Sequence, residues 1–251
     1  MTADKSGTEK IRVLVNGLHA KSGGGVTYLR NILSLLADDD RLELHLFLHE
    51  EQLSLFEPVD DRVQRRVFSF PSGFWYLMLW EQISLPAIAH SMGVAVTFSP
   101  ANYGPLLAPA PVIMLRNALA VGGDETRPTK RLYWAGLAMM TALSLMTSRR
   151  AIAVSQYARD SLSFGPGQRL RDKVSVVHHG VNPLFSPGDK SSDAAPFLLV
   201  VADIYIQKNL HTLVEALAEI RRQKPDISLK IAGRRNDENY YDQLVGIIDR
   251  L

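Results

Sequence analysis

The feature that most constrains this chain is an alternation of two hydrophobic periods running almost from end to end. Ile11 to Asn16 (IRVLVN) is a compact β-branched run, a glycine-rich loop follows through Gly25, and Val26, Leu29, Ile32, Leu33 and Leu36 then recur on one helical face. Such alternation predicts a parallel sheet with crossover helices. Further strands are expected at Leu42 to Leu48, Val63 to Phe70, Val94 to Phe98, Val112 to Leu115, Ala151 to Val154 and Val174 to Val177, which makes seven before residue 180. Arg65 and Arg66 suit an edge or an exposed end of the third. A helix is predicted from Trp75 through Ile83, interrupted near Pro86 because proline has no N–H to donate, and a long one from about Thr129 to Thr147.

From Asn182 to Pro196 three prolines and several small polar residues replace the periodic sequence, which marks a boundary. A second unit then begins: strands at Phe197 to Val201 and Ser228 to Ala232, helices at Asn209 to Gln223 and Asn239 to Leu251. Two strands and two helices are half of a doubly wound sheet, and 251 residues are many for one domain and few for two. The reading is α/β, with a Rossmann-like domain over 1–185 and the first βαβα half of a second over 196–251.

Composition narrows the chemistry. With no cysteine, disulfides, thiolate metal sites and cysteine nucleophiles are excluded. A formal net charge of +2 does not point to nucleic acid, although residues 127–173 hold nine basic and two acidic side chains. The opening MTADKSGTEK lacks the apolar core of a signal peptide, and the most apolar run, Leu132 to Thr147, has 16 residues where about 20 are needed to span a bilayer. A cytoplasmic protein is expected.

Two loops could carry function. In the first, Gly23, Gly24 and Gly25 let the backbone approach a ligand at the positive end of the following helix, a place that suits phosphate. The spacing matches neither G-x-G-x-x-G nor a P-loop, so Glu50 and Glu51 after the second strand are weak candidates for a dehydrogenase ribose acid. In the second, Lys208 stands just before a helix for which Asn209 is a good N-cap. His178 and His179 are adjacent in a strand end and point to opposite faces, which argues against a metal pair.

Taken in order, Gly23-Gly24-Gly25, Trp80-Glu81-Gln82 through Leu85-Pro86, Phe98-Ser99-Pro100, Val154-Ser155-Gln156, Val176 to Asn182 and Gln207-Lys208-Asn209 make the chain resemble the family 4 glycosyltransferases, retaining enzymes of the GT-B fold. The resemblance implies two Rossmann-like domains, an acceptor held by the first and a nucleotide sugar by the second, and no metal or other cofactor. It implies that Gly23, Gly24, Gly25 and Lys208 meet the donor phosphates, with Arg116, Asn117, Ser155 and Asn209 as further cleft residues and no catalytic residue identified. Ala202 and Asp203 stand where relatives carry Gly-Arg, and the family's Glu-x7-Glu segment has no counterpart up to Leu251.

The activity implied is transfer of a hexose from a nucleotide diphosphate sugar to a carbohydrate or lipid-linked glycan acceptor, as in polysaccharide biosynthesis. The alternative is a truncated, non-catalytic module that binds an acceptor or a partner, or a chain completed by a companion. The aromatic run Phe74 to Trp80 and the cations of residues 127–173 suit peripheral contact with an anionic membrane surface on its inner face; core packing is the competing reading of the aromatics.

Overall fold

A computed structural model describes residues 10–116, 128–162, 168–182, 184–186 and 196–251. The chain divides into two compact units, Met1–Pro183 and Leu184–Leu251.

The first unit is built on seven strands: β1 (Ile11–Asn16), β2 (Leu42–His49), β3 (Gln64–Phe68), β4 (Val96–Ser99), β5 (Pro111–Leu115), β6 (Arg150–Ala153) and β7 (Val174–Val176). All neighbours are parallel, in the order β3-β2-β1-β4-β5-β6-β7, with Ile11 opposite Leu42 and Val13 opposite Val96. The crossover helices are α1 (Gly23–Ala37), α2 (Phe74–Ser91), α3 (Pro128–Thr147), α4 (Gln156–Leu162) and α5 (Gln168–Asp172), and a 3-10 helix spans Glu50–Phe56. Leu29 and Leu33 of α1 pack with Val15, Leu44 and Leu46 on one sheet face. On the other face Leu77, Leu85 and Ala89 of α2 meet Leu14 and Phe47, and Leu145, Ala158 and Leu162 meet Ile113, Leu115 and Ala153. Each such leucine withdrawn from water contributes about 1.5–3 kcal/mol.

The strands fall within a residue or two of the predicted runs, and β3, with Arg65 and Arg66 exposed, is an edge. Pro86 is a correction: α2 runs through it to Ser91 without ending. Proline removes one intrahelical hydrogen bond, at a cost of about 3 kcal/mol. Leu85, Pro86 and Ala89 are all buried against the sheet, and their packing outweighs that loss. The 3-10 helix and α4 and α5 are too short to show a period and were not foreseen.

The second unit contains β8 (Phe197–Val201), α6 (Leu210–Arg221), β9 (Ser228–Ala232) and α7 (Glu238–Ile248). The two strands pair in parallel, Phe197 opposite Ser228, and Leu210, Val214, Tyr240 and Leu244 form the core over them. Phe197, Leu199 and Val201 are exposed, so one apolar sheet face of this unit is uncovered by the described residues.

Candidate functional site

In the first unit the strands are parallel, so the loop after β1 shares the carboxyl edge of the sheet with Arg116, which follows β5. The site is built there. Gly23 opens α1 with φ +55, a left-handed conformation that glycine adopts without the Cβ penalty. Ser22 precedes it in an extended conformation and caps nothing with its side chain, and the first turn holds no acid. Among the described residues the leading amides of α1 therefore have no side-chain partner.

Against them lies the Arg116 guanidinium. A Cβ added at Gly25 would stand 3.4 Å from Arg116 Nη1, and one at Gly24 3.8 Å from Nη2. The arginine is anchored by its own backbone N–H donating to Asn102 Oδ1 at 2.7 Å and by Nη1 donating to the Pro100 carbonyl at 3.1 Å. Burial lowers its affinity for its proton, with Tyr28 opposing that shift, and no carboxylate among the described residues pairs with it. Burial likewise raises the Tyr28 hydroxyl, against the pull of Arg116. A helix's positive end and a full positive charge thus converge on one point. Their mutual repulsion is relieved by an anion.

A groove of about 700 Å³ leads away from this point. Gly24, Tyr28, Arg116, His178 and His179 line its polar part, while Leu44, Phe98 and Met114 belong to its apolar floor. His178 Nδ1 lies 3.2 Å from the Val154 carbonyl, and His179 packs its ring on Tyr28 at 5.3 Å. Among the described residues no group of three His, Cys, Asp or Glu could hold a metal ion.

The remaining expected residues are placed differently. Asn117 lies outside the described residues. Ser155 is occupied by folding, its Oγ accepting from the Ala158 amide at 3.0 Å at the start of α4. Glu50 and Glu51 accept from the hydroxyls of Ser69 and Ser72, which ties the 3-10 helix to the segment after β3.

In the second unit Lys208 ends a 3-10 turn (Ile206–Lys208), its Nζ 5.5 Å from the centre of the Tyr205 ring. Asn209 corrects the simple capping picture: it precedes α6 at φ 53, makes no side-chain cap, and accepts instead from Thr212 Oγ1 at 2.9 Å. Asp203, which departs from the family pattern, accepts from the Arg234 amide at 3.2 Å and from Asn236 Nδ2 at 3.0 Å. These bonds hold its carboxyl below the ordinary range, the Arg234 backbone contact first among them. The loops after β8 and β9 are clasped together so closely that a Cβ on Gly233 would collide with the Ala202 carbonyl oxygen.

The aromatic run is divided: Trp80 packs on Phe68 and Phe70 beside the core and Leu77 is buried, whereas Trp75 and Tyr76 are exposed. Trp75, Tyr76, Leu79 and Ile83 of α2 and Leu132, Tyr133, Met139 and Met146 of α3 are all open to solvent, and Phe74 meets Tyr133 at 5.3 Å. The one acid of these two helices is Glu81, which is buried. The basic stretch is less concentrated: Arg159 and Arg171 share Asp160, and Lys173 donates to the carbonyls of Met146 and Ser148.

Residues 185–250 match the family model described as "Glycosyl transferases group 1". Solved structures agree on the fold. Anabaena HepE, in complex with UDP and glucose, superposes with a TM-score of 0.63 at 16% identity over 96% of this chain and 66% of its own. A glycosyltransferase from Rickettsia africae gives 0.62 at 15% over 96% and 65%. The UDP-GlcNAc 2-epimerase of Methanocaldococcus jannaschii gives 0.53 at 11% over 96% and 70%. The fold is GT-B-like, with Rossmann-like units, and the chain spans just under two thirds of the length of the first two structures. No curated protein sequence matches the chain.

Sequence reasoning quoted Glu81 only as part of a motif and missed its surroundings. The signal was a single charge inside FWYLMLWEQISLP, since a lone carboxylate in an apolar helical run is either exposed or bonded to something specific. Among the described residues no helix is long and apolar enough to cross a membrane.

Proposed function

We propose that this chain serves glycosyl transfer, moving a hexose from a nucleotide diphosphate sugar to a carbohydrate or lipid-linked glycan acceptor. In that reaction the bond between the anomeric carbon and the diphosphate breaks, the acceptor oxygen bonds to that carbon, and the nucleoside diphosphate departs with the electron pair. The observation that carries the reading is the Arg116 guanidinium, which meets no carboxylate among the described residues, set against the Gly24 and Gly25 turn of α1, which Ser22 does not cap. Positive potential held in place before the reaction stabilises negative charge that develops on a leaving group, without reorganisation. In the second unit Lys208, in the segment that matches the family model, is proposed as a further phosphate-binding cation. No metal is needed for a role that fixed cations and a helix dipole fill.

The exposed α2 and α3 surface supports peripheral contact with an anionic membrane. Trp75, Tyr76 and Tyr133 lie near the starts of the two helices, exposed Arg131 is beside them, and no acid is exposed on either helix. Aromatic rings with adjacent cations suit the headgroup region of such a bilayer.

Isothermal titration of the chain with UDP, GDP and their hexose conjugates tests the donor reading. Saturable binding of one nucleotide family, strengthened by its sugar, is expected. Affinity no better than millimolar for all of them refutes it and favours the non-catalytic binding module.

A further inference from the structure

Glu81 lies mid-way along α2 with its side chain wholly buried. Its Oε1 accepts from Asn16 Nδ2 at 2.6 Å and stands 2.9 Å from His19 Nε2, while Oε2 is buried with no hydrogen-bond partner. Asn16 is fully engaged besides, with Nδ2 reaching Ser99 Oγ at 3.2 Å and Oδ1 accepting from the Leu18 amide at 3.3 Å. Holding Asn16 in place would not by itself call for a charge, because a glutamine oxygen accepts as well and avoids burying a carboxylate. What a carboxylate adds is control of the imidazole. An ionised carboxylate accepts and cannot donate, so beside it the neutral imidazole carries its hydrogen on Nε2 and leaves Nδ1 as the accepting nitrogen.

The rest of the described setting leaves that nitrogen unbonded. The Tyr103 ring closes on the imidazole edge-on, with centroids 4.8 Å apart at 73°, and Tyr103 is itself buried. Two neighbours therefore hold the ring, yet no described residue bonds Nδ1, and the side chain keeps 16% exposure. Asn16 ends β1 and Ser99 ends β4, the adjacent pair of strands at which the strand order reverses. In open α/β sheets that crevice is where ligands bind.

We propose that His19 binds the sugar acceptor, its Nδ1 accepting a hydrogen bond from an acceptor hydroxyl, and that Glu81 is the positioning residue that fixes the ring and its tautomer. The inference rests on the glycosyl-transfer reading and assigns the acceptor's place within it. The donor anion point at Arg116 does not include either residue, so the two can be tested apart.

The test uses the full chain labelled with 15N, whose long-range imidazole spectrum reports tautomers directly. In the wild type His19 is expected as the Nε2–H form; in Glu81→Gln, whose amide can donate as well as accept, the two tautomers should mix. Free glucose, galactose, mannose and N-acetylglucosamine, each added with UDP, serve as acceptor probes. At least one should move the His19 Nδ1 resonance in the wild type, and its affinity should fall about tenfold in Glu81→Gln and His19→Phe, the size of one lost hydrogen bond to a hydroxyl. His19→Gln, which can offer a side-chain oxygen, should recover part of that loss, and UDP affinity should be unchanged throughout. The two His19 variants keep the test available even if Glu81→Gln does not fold. An Nδ1–H tautomer in the wild type, an unaltered tautomer in folded Glu81→Gln, or no hexose contact at His19 overturns the proposal. A hexose shift at His19 in a chain that binds no UDP supports the His19 assignment and overturns the donor reading instead.

Discussion

Replacing Arg116 with glutamine should separate ligand affinity from stability, because the arginine's charge opposes the fold locally and favours the anion. Without ligand, the guanidinium faces the positive end of α1 with no compensating carboxylate among the described residues, an arrangement that costs about 0.3–1 kcal/mol. Glutamine removes that repulsion and can still donate to the Pro100 carbonyl, which Arg116 Nη1 reaches at 3.1 Å. The backbone bond to Asn102 does not depend on the side chain. Stability of the free protein should therefore change by less than about 1 kcal/mol, and the sign of the electrostatic part favours the variant. With a phosphate at α1, the lost term is a charge-assisted hydrogen bond of roughly 1.5–3 kcal/mol, or about 10- to 150-fold in affinity. A bare Coulomb estimate at about 4 Å and an effective dielectric near 20 gives about 4 kcal/mol, an upper value that solvent and salt reduce. Urea denaturation and nucleotide titration on the same preparations would measure both quantities, and the wild-type affinity should fall more steeply with salt. Equal nucleotide affinity in the two proteins, or a parallel loss of stability and binding, refutes the reasoning.

Gly233→Ala should destabilise the second unit by at least about 1–3 kcal/mol, since its Cβ would collide with the Ala202 carbonyl and backbone must move; amide hydrogen exchange over β8 and β9 would show it, and unchanged protection there would contradict it. Asp60 is held down to about 2 by the side chain and backbone of Arg62, so its pair stabilises the fold above the unfolded value near 3.8 and loses that effect as pH falls toward 2; Asp60→Asn should flatten the melting temperature against pH in that window, and an acid limb identical to wild type would reject the pairing. Trp75→Ala and Leu79→Ala, both at exposed positions, should leave stability within about 0.5 kcal/mol while reducing co-sedimentation with phosphatidylglycerol vesicles; equal sedimentation of all three proteins would remove the membrane reading.

Much of the architecture was legible because burial and period agree. Parallel strands such as β5, covered on both faces, read as continuous apolar runs, and α1 repeats its buried leucines every fourth residue. Pro86 misled because a local rule about a missing N–H is weaker than the packing of its neighbours, which the sequence does not display. The aromatic run of α2 misled for a related reason. Its residues are apolar on every side of the helix, so no period shows which of Trp75, Leu77, Leu79 and Trp80 turns inward; the sheet buries Leu77 and leaves Trp75 and Leu79 in water.

By itself, then, the sequence determined a parallel α/β chain, its edge strand, the glycine turn at α1 and the cation before α6, since each follows from local periodicity or from the conformational freedom of particular residues. Only the tertiary structure decided which charges meet. Arg116 stands more than ninety residues from Gly24 and Glu81 more than sixty from Asn16 and His19, separations at which sequence spacing carries no distance information. Strand order brings those pairs to one sheet edge. Among the described residues it leaves Arg116 without a carboxylate and gives Glu81 the imidazole it needs, because the chain must cross the sheet between β3 and β4 before β4 can lie beside β1.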